Sequence, residues 1–282
     1  MFADLHLHTT FSDGTDTPLE ICNLAKGHGV NVISITDHDT VDGHKALKTE
    51  ELPEGLTLIP GIEISTEVNK TMLHTLGYYI DIYDKRLEEF IKAISKEKTE
   101  TTMLNFEHAC ANNIFSYTWE RVLELNPGQQ RIGGIQVVKA MKIDGYEVPG
   151  MSLWEMFQKC FWPANDTYIT TQTFTGYDAI DIIKKTGGIP VIAHPKNIGN
   201  DEIVLDLIRY GAQGLEVYHP IHNDDDVAKY LQMAEREGLY ISGGTDWHGK
   251  NNRKEISGFG MCGLKDGGYP ILSAIPNHRR FQ

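Results

Sequence analysis

The chain has 282 residues, 40% of them hydrophobic and 23% charged, with a formal net charge of −13. Such a composition builds a folded protein with a sizeable core, and the length suits one (β/α) barrel. The acidic balance, with no clustered Lys and Arg, argues against a nucleic-acid surface. No apolar run approaches the ~20 residues of a membrane helix, and no leader-like segment precedes Asp4, so a cytoplasmic protein away from membranes is expected. Cys22, Cys110, Cys160 and Cys262 are widely spaced with no C-x-x-C pair, which suits reduced thiols better than a disulfide frame or a zinc knot.

The first predicted element is a short strand, Asp4-Leu5-His6-Leu7-His8, whose alternation sends His6 and His8 to the same side. Ser12-Asp13-Gly14 is a turn signal that can return a carboxylate over that pair. Thr17-Pro18 caps a helix through about Lys26. Val30–Ile35 reads as a buried strand delivering Thr36-Asp37-His38-Asp39, and a short helix follows from Val41. A third strand runs Leu56–Ile59 and Ile62–Ser65, broken at Pro60-Gly61, and Met72–Ile80 is a fourth. Strand alternating with helix favours a parallel sheet or barrel.

From Asp84 the pattern turns helical, with helices expected at Lys85–Asn112, Thr118–Leu125, Ile132–Ile143 and Ser152–Cys160. Residues 81–174 therefore read as an inserted helical subdomain, flanked by 1–80 and 175–282. The βα rhythm resumes with a helix at Tyr177–Thr186 and strands at Ile189–Ala193, Gly214–Tyr218 and Leu239–Ser242, separated by helices Asp201–Tyr210 and Asp224–Glu237. The last twenty or so residues read as irregular.

Histidines and carboxylates recur where these strands end: His6, His8, His38, Glu63, His74, His194, His219, Asp246 and His248. Seven of the twelve histidines fall there, whereas core or surface histidines would scatter over helices and loops. In a βα barrel the strand ends converge on one face, so these positions predict a metal site of nitrogen and oxygen donors, suited to Zn, Mn or Fe.

His6-x-His8 with Ser12-Asp13-Gly14, Thr36-Asp37-His38-Asp39, Gly61-Ile62-Glu63, Ala193-His194-Pro195 and Gly244-Thr245-Asp246-x-His248 together resemble the motifs of the PHP family. Those are the phosphoesterase domains shared by some bacterial DNA polymerases and histidinol phosphatases. The resemblance implies an α/β fold, a distorted (β/α)7 TIM-like barrel, with three divalent ions (Mn, Zn or Fe) at the strand carboxyl ends. Carried over by position, it implies one ion on His6, His8, Glu63 and Asp246. A second would share Glu63 and add His74 and His194, and a third would sit on Asp13, His38 and His248.

The implied chemistry is hydrolysis of a small phosphorylated metabolite by attack of a metal-bridging hydroxide on phosphorus. A nucleotide or sugar phosphate is expected, as a monoester or a cyclic phosphodiester. His219 and Asp246 are the expected catalytic groups beyond the ligands. Arg131, Lys196, His219, His222 and Arg253 are the candidates for substrate contact, weighed against solvated loop charges. Glu216 is expected either to support a ligand or to be a buried structural carboxylate. Phosphate contacts in relatives active on nucleotides often come from an Arg-Pro-His-like segment; here that segment reads Arg131-Ile132-Gly133-Gly134, so the histidine is missing. The alternatives are a 3′–5′ exonuclease of the same family, which the net charge disfavours, and a metal-binding domain without catalysis. The oligomeric state is left open.

Overall fold

A computed structural model describes residues 1–68, 70–250 and 258–274. Seven strands form one sheet in chain order: β1 (Ala3–Leu7), β2 (Val32–Ile35), β3 (Thr57–Val68), β4 (Thr71–Tyr78), β5 (Ile189–Ile192), β6 (Gly214–Tyr218) and β7 (Tyr240–Gly243). The sheet curls into a nearly closed barrel. Between β7 and β1 the described residues form no ladder. That seam holds through a parallel bridge of Leu7 with Trp247, the His8 N–H donating to the Trp247 carbonyl at 2.9 Å.

Helices fill the crossovers. α1 (Pro18–Gly27) follows β1, and Thr17 and Glu20 cap it reciprocally, each side chain accepting from the other's backbone N–H. α2 (Asp42–Ala46) follows β2. After β4 come α3 (Lys85–Ala111), α4 (Trp119–Glu124), α5 (Gly134–Ile143) and α6 (Leu153–Phe161). They bury an apolar cluster of their own around Phe106, Val122, Val137, Met156 and Phe161. α7 (Gly176–Lys185) returns to the barrel and packs Ile180 and Ile183 on it, ahead of β5. α8 (Asp201–Tyr210) and α9 (Asp224–Glu237) complete the crossovers to β6 and β7. Asn223 caps α9, whose first turn carries Asp224, Asp225 and Asp226, favourable charges at a helix N-terminus.

Three features differ from the sequence expectation. β3 does not break at Pro60-Gly61 but runs through it, because the Pro60 carbonyl still accepts from Tyr79 at 2.8 Å and only the missing proline N–H is lost. β4 pairs antiparallel with both β3 and β5, so the barrel is not uniformly parallel. Finally, the segment expected to be irregular pairs Leu264 with Ala3 through two 2.9 Å backbone bonds and ends in a short helix, α10 (Pro270–Ser273). Leu264 and Ile271 are wholly buried with Ala3, Val32, Ile59 and Tyr78, which stops the amino-terminal end of the barrel.

Candidate active site at the barrel mouth

At the opposite end, β1 carries His6 and releases His8, both without solvent exposure. The turn behind them is built by Asp37, which accepts from the Thr9 N–H and hydroxyl, both at 2.7 Å, and from the Ser12 hydroxyl at 2.6 Å. Gly14 crosses the His8 carbonyl so closely that a Cβ there would lie 2.5 Å from its oxygen. The turn swings Asp13 back toward the histidines: Oδ1 is 3.2 Å from His248 Nε2 and 3.7 Å from His8 Nδ1, and Oδ2 is 4.0 Å from His38 Nε2.

Glu63 of β3 is the hub. Its Oε2 lies 3.2 Å from His6 Nε2, 3.1 Å from His8 Nε2 and 3.1 Å from His38 Nδ1. Its Oε1 lies 2.9 Å from His74 Nδ1 and 3.1 Å from His194 Nε2. One carboxylate thus touches five imidazoles. Asp246, past β7, sets Oδ1 3.2 Å from His8 Nε2 and 3.4 Å from His248 Nδ1, and Oδ2 3.4 Å from His219 Nε2.

Asp39, His194 and Asp246 adopt left-handed backbone conformations with φ of 52°, 26° and 51°. Non-glycine residues rarely sit there, and such strain gathers where side-chain direction matters. Other side chains hold the constellation from behind. Glu216 Oε1 binds His6 Nδ1 at 2.8 Å, which aims Nε2 at the cluster, while Oε2 accepts from the His194 N–H at 2.7 Å. Asp4 accepts from the Thr245 N–H at 2.9 Å and hydroxyl at 2.6 Å, fixing the loop that bears Asp246; burial pushes its carboxyl up to about 7. Gly244 allows this approach, since a Cβ there would stand 2.4 Å from the His6 nitrogen.

Burial by itself would raise Glu63 and Asp13, yet the surrounding imidazoles hold both carboxyls well below the usual range. Burial wins at His38 and His74 and lowers both. Ionised carboxylates and the neutral imidazoles of His38 and His74 suit cation binding. At the other pair the carboxylates outweigh burial: Glu216, Glu63 and Asp246 raise His6, and Asp246 and Glu63 raise His8 to about 9, so an ion held there would displace their protons. His6 Nε2, both ring nitrogens of His8 and Glu63 Oε2 are buried without a hydrogen bond. Orphaned polar atoms at such a density are costly unless a cation satisfies them. All donors are nitrogen or oxygen, and the described geometry offers close groups at His6–His8–Glu63–Asp246, His8–Asp13–His38–His248, His38–Glu63–His74 and His6–Glu216–His219. The residues present therefore fit divalent ions, with His194 adding a nitrogen 3.3 Å from that of His74.

The expected substrate contacts are placed unevenly. Arg131 reaches the mouth from the segment before α5, its guanidinium 3.1 Å from Asp39 Oδ2. It lines a narrow cleft of about 10 Å³, room for roughly one water, together with Phe11, Ser12, His38, Gln129 and Gln130. His219 is buried against Asp246, and His222 Nδ1 lies 2.8 Å from the Val217 carbonyl, one step farther out. Lys196 turns away, bound to Asp226 and to the Ile221 carbonyl at 3.0 Å, so the bonds that hold it belong to the α9 side of the barrel. Arg253 lies outside the described residues. Sequence reading did not find Lys98, a buried lysine of α3 whose Nζ is 3.6 Å from Glu67 Oε1. Tyr168 donates to the same carboxylate oxygen at 2.6 Å. Within the run Lys96-Glu97-Lys98, only the helical register separates this residue from the exposed Lys96 and the half-buried Glu97.

A seven-stranded α/β barrel with histidines and carboxylates gathered at one mouth, from the carboxyl ends of its parallel strands and from within the antiparallel β4, defines a hydrolase of the metal-dependent barrel class. The PHP domain model matches residues 4–170, more than half of the chain. This chain therefore belongs to the PHP family, and it is a phosphoesterase, a hydrolase of phosphoric ester bonds.

The chain is 27% identical to a phosphoribosyl 1,2-cyclic phosphate 1,2-diphosphodiesterase of Eggerthella lenta, covering 92% of this chain and 98% of the relative. It is 28% identical to a 3′,5′-nucleoside bisphosphate phosphatase of Chromobacterium violaceum, covering 87% and 86%. It is also 28% identical to a 5′-3′ exoribonuclease of Salmonella typhimurium, covering 87% and 84%. Among solved structures, an amidohydrolase from Chromobacterium violaceum with bound sulfate superposes with a TM-score of 0.77 at 25% identity, covering 92% of this chain and 90% of that one. A candidate metal-dependent phosphoesterase from Bifidobacterium adolescentis gives 0.74 at 27% identity, covering 90% of each. Among the described residues, no helix is long and apolar enough to cross a membrane.

Proposed function

We propose that the cluster holds three divalent ions and that the chain hydrolyses a small phosphorylated metabolite, a nucleotide or sugar phosphate, as a monoester or a cyclic phosphodiester. The observation that carries this reading is the convergence of five imidazoles on Glu63, with buried ring nitrogens that make no hydrogen bond. His6, His8, Glu63 and Asp246 would hold the first ion, Glu63, His74 and His194 the second, and Asp13, His38 and His248 the third. When bound, such ions lower the pKa of water toward neutrality and offset charge on phosphoryl oxygens.

The remaining roles fall to the chain itself. His219, with Nε2 3.4 Å from Asp246 Oδ2, holds a proton where a leaving oxygen can take it. Glu216 keeps His6 in the tautomer that points Nε2 inward. Arg131 faces the cleft beside His38 and binds a phosphoryl oxygen there, while Asp39 fixes its direction. Residues 81–174, which contribute Arg131, form the unit that sets specificity.

A second reading has support in the similarity to the Salmonella exoribonuclease, whose named direction, 5′–3′, is opposite to the one expected from the sequence. The net charge of −13 favours the small substrate over a polyanion. Phosphate release would be measured from nucleoside bisphosphates, sugar phosphates and cyclic phosphates, beside shortening of a labelled oligoribonucleotide. Activity confined to the oligonucleotide would reject the small-substrate reading. Fewer than two ions per chain by elemental analysis would reject the three-ion centre.

A further inference from the structure

The strand pair that carries His74 leaves the sheet at the mouth. Among the described residues, the β2–β3 ladder ends at Pro60 and the β4–β5 ladder at Thr75. Beyond the facing pair Ser65 and His74, β3 and β4 continue as a two-stranded arm to the pair Val68 and Thr71. Such a ribbon is marginal in water unless something packs on it. One face lays Leu73 and Val68 on the apolar cluster with Ile180 and Leu207. Glu63, Ser65 and Glu67 share the opposite face, and His74, opposite Ser65, stands between the two glutamates.

Glu67 is where that second face is pinned. Lys98 of α3 brings Nζ to 3.6 Å from Glu67 Oε1, the two side chains 9% and 7% exposed. Tyr168 donates to the same oxygen at 2.6 Å. It opens a return segment that α3 laces down: Asn105 exchanges two bonds with the Ile169 backbone, at 2.6 and 3.0 Å, Thr101 Oγ1 accepts from the Thr171 N–H at 3.0 Å, and Glu97 accepts from the Thr173 N–H at 2.9 Å. The same stretch of α3 reaches the mouth twice more. The Ser95 hydroxyl donates to the carbonyl of Asp39, beside His38, at 3.5 Å, and Thr99 Oγ1 accepts from the N–H of Ile132, beside Arg131, at 3.0 Å.

We infer that Lys98 is a positioning residue of the centre: by holding Glu67 it fixes the arm, and with it His74, against Glu63. The inference rests on the reading of the cluster as a three-ion centre. A buried ion pair adds little net stability over apolar packing, so the use of this one is geometric. A methionine at 98 would fill the same space but would not direct the Glu67 carboxylate. His74 sits where the arm leaves the sheet. A tilt of the arm therefore changes its Nδ1–Glu63 Oε1 distance, 2.9 Å, before it disturbs the barrel.

Mn²⁺ binding, read by competition with a chelating dye, tests this in Lys98→Met. The expected result is a loss of about 10- to 100-fold in the affinity of one ion, the effect of removing an outer partner of a metal ligand. Hydrogen exchange in chelator should also quicken at the backbone amides of the arm, while the β1–β2 ladder keeps its protection. In a His74→Ala background, Lys98→Met should weaken none of the remaining ions. Tyr168→Phe, which deletes one hydroxyl, should act in the same direction to a lesser degree, and it decides the question if Lys98→Met does not fold. Phe106→Ala, which opens the apolar core on the same helix, controls for lost stability and should leave the affinity unchanged. With two or more ions bound in wild type, the inference alone is overturned by unchanged affinity in Lys98→Met, by a further loss in the His74→Ala background, or by an equal loss in Phe106→Ala. Fewer than two ions in wild type would overturn the three-ion centre and the inference together.

Discussion

The barrel mouth and the core of α3–α6 solve opposite problems. Around Phe106, Val122, Val137 and Phe161 the interior is apolar and closely packed, so burial itself supplies stability. Around Glu63 the interior is polar, with unbonded nitrogens, strained backbone at His194 and Asp246, and several carboxylates within one shell. Such a shell does not hold itself together, and it depends on Asp4, Asp37 and Glu216 behind it and on cations within it. The two regions should therefore respond differently to substitution: the mouth loses activity with little loss of fold, and the helical core loses fold before chemistry.

Glu63→Ala should give the largest effect, removing the carboxylate that joins five imidazoles. The expected loss in kcat is about 1,000-fold or more, equivalent to several kcal/mol of lost transition-state stabilisation, with metal content falling and far-UV circular dichroism unchanged. Wild-type activity in this variant would refute the assignment of the centre. Phe106→Ala, in the helical core, should instead cost about 3–5 kcal/mol in urea unfolding while ion content per folded chain stays constant. If the ion content fell together with stability, the two regions would not be separable.

His44 offers a pH test beneath the cluster. Its ring is buried beside the Ile35 carbonyl and the Gly61 N–H, and burial depresses its pKa to about 4. The unfolded chain takes up this proton near pH 6.5, before the folded chain does. Stability from this group is therefore complete above pH 6.5 and falls as pH drops toward 4, by about 3 kcal/mol in total. Urea midpoints of wild type and His44→Gln, compared in chelator between pH 7 and 4, should converge toward the acid end by that amount. Parallel curves would mean that His44 protonates alike in both states. Glu216→Gln is the mildest change, keeping the shape but weakening the hold on His6. Metal affinity should fall about 10- to 100-fold, read by competition with a chelating dye, and unaltered affinity would make Glu216 merely structural.

Much of the mouth was legible in the sequence because strand geometry is rigid. Two histidines two residues apart share a side, and parallel strands send their carboxyl ends to one face, so His6, His8, His38, Glu63, His194, Asp246 and His248 could be grouped without coordinates. His74, expected past a strand end, instead reaches the mouth from inside the antiparallel β4, whose carboxyl end lies at the other face. The rim was harder to read because its partners come from distant segments. Nothing local in Lys96-Glu97-Lys98 marks Lys98 as the member that turns inward to Glu67. Nothing local ties Arg131 to Asp39, and the preference of Lys196 for Asp226 depends on how α9 lies against the loop after β5. Pro60-Gly61 misled for a different reason: a proline removes one donor but leaves its carbonyl, and one acceptor was enough to carry β3 onward into the antiparallel pair. The tail was misread because its burial lies in two isolated residues, Leu264 and Ile271, with no period to reveal them.

The seam between β7 and β1 gives the site a mechanical meaning. Elsewhere in the barrel, neighbouring strands are laced by backbone ladders, but here the lacing is piecemeal: the Leu7–Trp247 bridge with the His8–Trp247 bond, the grip of Asp4 on Thr245, the Thr15 N–H on the His248 carbonyl and the Trp247 indole on Asp16. His6 and His8 stand on one lip of that seam, Asp246 and His248 on the other. An ion shared across it would act as a clasp between the two ends of the fold. Removing ions with a chelator should therefore speed amide hydrogen exchange first at His8 and its neighbours along the seam, while the β3–β4 ladder keeps its protection.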